Sequence, residues 1–129
     1  YNKFFNKNKN LNDSLIRSAC RLSKLINAKA IVAMTKSGYT GFRVSGHRPK
    51  ATIFIVTNNK KLLNVMNLVW GIRGIYYDKT DYIDNTLENI ESILVKNKYL
   101  KKYDKYIITS SMPSHWKGHT NMMKVNVIE

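Results

Sequence analysis

Residues 30–57 read AIVAMTKSGYTGFRVSGHRPKATIFIVT, and this stretch decides the fold. Its two ends, Ala30 to Thr35 and Thr52 to Thr57, are continuous apolar runs. A strand that is apolar on both faces is covered on both faces, the condition of a central strand in a parallel sheet. Between the runs lies the turn Thr35-Lys36-Ser37-Gly38-Tyr39-Thr40, then a short helical segment to about Ser45, closed by Gly46 and Pro49. Strand, helix and strand in 28 residues make a βαβ unit, and the two strands of such a unit run parallel.

The alternation continues on either side. Upstream, Leu15, Ile16, Ala19, Leu22 and Ile26 recur at three- and four-residue spacing, the mark of one buried helix face. Asn12 or Asp13 is the expected cap of that helix and Asn27 its left-handed end. Cys20 lies beside the face and reads as a small core side chain, not a nucleophile. Downstream, Asn58 is the expected cap of a helix that turns Leu62, Leu63, Met66 and Val69 inward and stops at Gly71. Ile72 to Tyr77 forms a third strand. Asp81 to Asn97 forms an amphipathic helix through Ile83, Leu87, Ile90, Ile93 and Leu94. Tyr106 to Ser110 is a fourth strand, Ser111 to Thr120 a polar loop, and Met122 to Ile128 a fifth strand whose alternation suits a sheet edge. No helix separates the last two strands, so they are expected to run antiparallel. The expectation is an α/β three-layer sandwich: a five-stranded, mostly parallel sheet with an antiparallel last strand and helices on both faces. Residues 12–129 form this single domain. Residues 1–11, rich in Asn and Lys, read as a linker or the remnant of a preceding segment, and Tyr1, which is not Met, as a cut end.

The 129 residues carry 22 Lys+Arg against 8 Asp+Glu, a formal charge of +14. Nucleic acid is the default partner of so basic a domain. The detail argues otherwise. There are 17 Lys but 5 Arg, and Lys, Asn, Ile and Tyr make 53 of the 129 residues. All four have codons rich in A and T, so drift of base composition alone would place them on a solvated surface. Arg, whose planar fork reads phosphates and bases in pairs, is scarce. Along the chain the cations fall in separate groups, at Lys3 to Lys9, Lys60 and Lys61, and Lys96 to Lys105. No nucleic-acid partner is expected on this reading. No apolar run approaches the ~20 residues of a membrane span, and the polar start has no signal-peptide core. The expected location is therefore cytoplasmic, with no membrane partner. One cysteine excludes a disulfide framework and a multi-cysteine zinc site. His115 and His119 lack a third ligand nearby, so no metal site is expected. Nor is a carboxylate pair placed for acid–base work, and no catalytic residue is assigned.

Chemistry belongs to the carboxyl ends of the strands, where open α/β sheets bind ligands. Thr35-Lys36-Ser37-Gly38-Tyr39-Thr40 offers three hydroxyls, an ammonium and a glycine at a helix start, which exposes N–H groups and partial positive charge. That combination suits a phosphate, although the spacing is neither that of a Walker loop nor G-x-G-x-x-G. The loop 111–120 is long for a strand-to-strand link, and its Trp116 and Lys117 are placed to cover a ligand held by the first loop.

Four segments together resemble the C-terminal domain of bacterial pyruvate kinase. They are Ala28 to Thr40, the His47-Arg48-Pro49-Lys50-Ala51-Thr52-Ile53 stretch with its R-P-x-A-x-I pattern, Asn67-Leu68-Val69-Trp70-Gly71-Ile72, and Gly118-His119-Thr120-Asn121. They occur in order over roughly Asn12 to Glu129. The resemblance implies the regulatory and subunit-assembly domain of a larger enzyme that moves phosphate from phosphoenolpyruvate to ADP in glycolysis. It implies a homotetramer, and a catalytic barrel with Mg²⁺ and K⁺ outside these residues. The family's M-x-A-R-G-D-L-G segment does not occur here, so the chain alone is expected to be inactive and to hold no cofactor. The family's T-x-S-G-x-[ST] loop grips an effector phosphate; that carries over to Thr35, Ser37, Gly38 and Thr40, with Lys36 and Tyr39 among them. The loop that closes over the sugar carries over to Trp116, Lys117, Gly118 and His119. One departure concerns the effector. Fructose-bisphosphate-responsive members hold a second phosphate near Lys79 to Thr86, where Asp81 and Asp84 stand here, so a sugar monophosphate or a nucleotide is as well suited as a bisphosphate. Two other readings compete: a basic nucleic-acid-binding module, which requires a contiguous basic face, and a stand-alone anion-binding α/β domain.

Overall fold

A computed structural model of the chain describes residues 2–34, 39–77, 83–110 and 122–129, with side chains described for 13–34, 41–77, 87–110 and 122–129. The elements follow in the order α1 (Asn2–Ile26), β1 (Ala30–Met34), α2 (Tyr39–Gly46), β2 (Thr52–Thr57), α3 (Lys60–Met66), β3 (Ile72–Tyr76), α4 (Ile83–Lys96), β4 (Lys105–Ser110) and β5 (Met122–Val127). The five strands form one sheet in the order β3-β2-β1-β4-β5. The first four are mutually parallel and β5 is antiparallel to β4. The expected α/β architecture is therefore present, strand for strand.

Alternation along the central strands explains why they read as unbroken apolar runs. Ile31 and Ala33 of β1, with Ile53 and Ile55 of β2, face Ile16 of α1, Val44 of α2 and Met66 of α3. Val32, Phe54, Val56 and Ile108 face the other way, onto Leu87, Ile90 and Leu94 of α4. Burying each such side chain is worth about 1.5–3 kcal/mol, so the two apolar faces dominate the stability. The chirality of parallel crossovers accounts for the layers. Steps from β1 to β2 to β3 go one way and put α2 and α3 on one face; the return from β3 to β4 puts α4 on the other. Where α1 crosses β4, Ala19 and Ala28 pack on Ile107.

Glycine sets one close approach. A Cβ on Gly41 would lie 2.2 Å from Ile55 Cδ1 and 2.8 Å from Met66 Cε, so the missing side chain is what lets α2 descend onto β2 and α3.

Helix ends depart from the sequence expectation in two places. The cap expected at Asn12 or Asp13 is not there, because α1 already runs from Asn2. Residues 2–12 contain neither Gly nor Pro, and their Lys side chains favour a helix even though the apolar period fades. Asp13 instead meets the guanidinium of Arg43 on α2 at 3.3 Å. The cap of α3 is Asn59, not Asn58: its Oδ1 accepts from the Leu62 N–H at 3.1 Å, and Thr57 Oγ1 accepts from the Asn59 N–H at 3.2 Å. That hydroxyl at the end of β2 holds the chain extended one residue further. The same helix ends at Met66, so Val69 packs on the core from the following turn. The left-handed end at Asn27 (φ 56°) is as expected. The start of the fourth helix expected at Asp81 lies outside the described residues, within which α4 begins at Ile83.

Candidate functional site

The order of the strands reverses between β1 and β4: β2 and β3 lie to one side of β1, β4 and β5 to the other. This is the switch point at which open α/β sheets leave a crevice beyond the carboxyl ends. Ala33 of β1 is level with Thr109 of β4, one strand spacing of ~4.8 Å away, and each strand ends at the next residue, Met34 and Ser110. Both hydroxyl- and lysine-bearing segments of the sequence, 35–40 and 111–120, depart from this one place.

The strand ends at the switch point are fixed from below. Thr109 is fully buried and its Oγ1 donates to the Val32 carbonyl at 3.4 Å, tying β4 to β1 just beneath the exit. Ser110, the last residue of β4, is also buried. On the β2 side, Thr57 closes the strand through the cap of α3. After β1, four residues lead to Tyr39, where α2 begins. Its axis is set by Gly41 and Val44 against the core, and Ser45 Oγ donates to the Trp70 carbonyl at 2.7 Å. The first turn of α2 carries no acidic residue, so nothing there offsets the partial positive charge of the helix start. Rigid strand ends beside an uncompensated helix start can hold an anion.

Of the residues singled out in the sequence, Tyr39 and Thr40 are the first two of α2. Thr35, Lys36, Ser37 and Gly38, and Trp116, Lys117, Gly118 and His119, lie outside the described residues. So do Lys79 to Tyr82 of the departure noted at the fourth helix. Thr109 and Ser110 were missed as supports of the site; the signal was a run of apolar residues ending in two hydroxyls at a strand's carboxyl end. Among the described residues no three His, Cys, Asp or Glu side chains come together to hold a metal ion, and no helix is long and apolar enough to cross a membrane. Cys20 packs against the face shared by α1, α2 and α3, and burial pushes its thiol up to about 11. It is a neutral core group at physiological pH, as its place beside the helix face indicated.

Comparison with known proteins agrees with the α/β fold. The sequence model of the family described as "Pyruvate kinase, alpha/beta domain" matches residues 13–126. A pyruvate kinase of Clostridium acetobutylicum is 31% identical over an alignment covering 100% of this chain and 28% of that protein. One from Lactobacillus delbrueckii subsp. bulgaricus is 30% identical, over 95% of this chain and 21% of its own length. One from Staphylococcus saprophyticus is 37% identical over 80% of this chain and 18% of its own. The chain thus spans less than a third of the length of the curated relatives it matches.

Proposed function

Because the chain belongs to the pyruvate kinase alpha/beta-domain family, we propose that it is the regulatory and assembly domain of a pyruvate kinase, binding a phosphate-bearing effector where β1 and β4 end. One observation carries the reading. The sheet reverses between these two strands, and the two loops with anion-binding chemistry leave from that point, one of them into the start of α2. In this account Thr35, Ser37 and Thr40 donate hydroxyl hydrogen bonds to the phosphate, Gly38 lets the backbone approach, and Lys36 supplies charge. Trp116 to His119 close over the rest of the ligand. A sugar monophosphate or a nucleotide suits the site as well as a bisphosphate, since Asp81 and Asp84 would repel a second phosphate. Phosphoryl transfer from phosphoenolpyruvate to ADP, with its Mg²⁺ and K⁺, belongs to the parts of the relatives beyond the span matched here.

The edge of the sheet supports the assembly half of the proposal. Val125 and Val127 of β5 are 41% and 46% exposed on the strand that closes the sheet order. An apolar edge strand of this kind is a template for pairing with another chain.

Calorimetric titration with glucose 6-phosphate, fructose 1,6-bisphosphate and AMP tests the effector site. Ser37→Asp is expected to weaken the measured affinity by at least the ~1.5–3 kcal/mol of one hydrogen bond to a charged group, roughly ten- to a hundredfold. An affinity unchanged by Ser37→Asp would remove the 35–40 loop from the site.

A further inference from the structure

The opposite end of the strands carries a feature that the chain order conceals. Each of the first four strands has a cation at or just before its start. Lys24 and Lys96 lie in the last turns of α1 and α4. Lys29 and Lys50 precede β1 and β2, Arg48 stands in the same turn as Lys50, and Arg73 is the second residue of β3. Lys98, Lys101 and Lys102 lie between α4 and β4, and Lys105 opens β4. These ten are all exposed, and they are nearly half of the 22 cations of the chain. Backbone hydrogen bonds lace the strand starts together: the Lys29 N–H donates to the Lys105 carbonyl at 2.8 Å, Thr52 N–H to Lys29 at 3.1 Å, and Ile53 N–H to Gly71 at 3.1 Å. The cations therefore share one rigid rim.

Three carboxylates accompany them. Asp104 is half-buried, its Oδ2 accepting from the Lys101 N–H at 3.0 Å, Glu91 of α4 accepts from the Tyr106 hydroxyl at the start of β4, and Glu129 follows β5. Ten cations less three acids leave +7 at this end. Four helix carboxyl ends point the same way, and each is worth about −0.5 charge, about −2 together. Complementing the helices thus explains only part of the excess. Drift of base composition explains Lys on a surface but does not sort it to one end.

Aromatic rings are set among the charges. Trp70, Tyr99 and Tyr103 are 48%, 43% and 72% exposed. A cation lies over each: Arg48 at 4.6 Å from the Trp70 ring centre, Arg73 at 5.5 Å from Tyr99, and Lys102 at 5.2 Å from Tyr103. Tyr103 is held at φ 72° while its N–H donates to the Ile128 carbonyl at 2.7 Å, so an exposed ring stands on a fixed backbone. Charges that track a phosphate backbone, interleaved with rings on which bases stack, are the means by which proteins hold single strands without reading sequence. An acidic protein segment would use the charges and leave the rings without a partner.

We propose that the basic rim at the amino ends of the strands binds single-stranded nucleic acid, with phosphates on the lysines and bases on Tyr103 and Trp70, the Tyr99 ring being taken up by Phe54 at 5.0 Å and by Arg73. The inference is independent of the effector reading, because the two surfaces lie at opposite ends of the sheet. Fluorescence anisotropy with a labelled oligouridylate tests it, with polyglutamate of matched charge as competitor. For four phosphates neutralised, raising salt from 50 to 200 mM is expected to weaken binding roughly 50-fold. Two charge reversals of equal size separate a site from general attraction. Lys101→Glu with Lys102→Glu is expected to weaken binding at least tenfold, and Lys60→Glu with Lys61→Glu, on α3 at the other end, less than about threefold. Tyr103→Asn removes the ring while tolerating the left-handed backbone, and is expected to weaken oligouridylate several-fold and polyglutamate not at all. Equal losses in the two charge reversals, or polyglutamate binding as tightly as oligouridylate, would overturn the proposal. Thermal melts confirm that each variant is folded before its affinity is compared.

Discussion

Gly41 is where α2 comes down on the sheet, and its side chain is a single hydrogen because Ile55 and Met66, both fully buried, occupy the space of a Cβ. Gly41→Ala would improve helix propensity by ~1 kcal/mol but overpack the core at a cost of about 1–3 kcal/mol. The crowding is expected to win, lowering the urea midpoint without changing the slope. Gly46, at the far end of the same helix, meets nothing within 4 Å and has no positive φ, so Gly46→Ala should hold or raise the midpoint, by at most about 1 kcal/mol of stability. Equal midpoints for the two variants would contradict the packing described. Cys20 gives a pH-dependent counterpart. Its folded value of about 11 lies above the ordinary 9.0, so the folded state keeps the proton that the unfolded chain loses first. The contribution to stability is whole below pH 9 and is lost as pH rises through about 11. Alkylation by iodoacetamide at pH 8 should be slower in the folded chain than in urea by roughly tenfold or more. Comparable rates would mean that the thiol is not held in the core.

Among the elements, strands were easier to read than helix ends. Burial on both faces turns β1, β2 and β4 into apolar runs, and no helix of that length would show them. Helix α1 was underestimated because its first half has the composition of a helix without the apolar stripe that reveals one. The cap of α3 moved from Asn58 to Asn59 because the Thr57 hydroxyl captures the N–H of Asn59, a choice between adjacent asparagines that spacing cannot make. Strand β5 carries the testable consequence. If its exposed valines form a contact between copies of the domain, Val125→Lys places a charge in that contact. Sedimentation velocity at high protein concentration should then show the native chain associated and the variant as a monomer with an unchanged melting temperature. A native chain that stays monomeric throughout would count against the β5 contact.

At the scale of the whole molecule, the strand order does what no local pattern shows. The chemistry of residues 35–40 and 111–120 could be read from residue types alone. That their strands are neighbours could not, since 70 or more residues separate them and only the sheet brings Ala33 level with Thr109. Likewise, Lys29, Lys50, Arg73 and Lys105 stand at the starts of four different strands and come to one end only because those strands start together. The two proposed sites thus fall at opposite ends of the sheet: the effector site where the strands finish and the basic rim where they begin. The central claim is that the two loops at the first end form one anion site. Amide chemical shifts of the ¹⁵N-labelled chain, followed while glucose 6-phosphate or AMP is added, measure this directly. Saturable shifts of Lys36 to Thr40 and of Trp116 to His119 with one shared dissociation constant are expected, with Lys98 to Lys105 unmoved. Shifts confined to the lysine-rich end, or two loops that titrate with different constants, would contradict it.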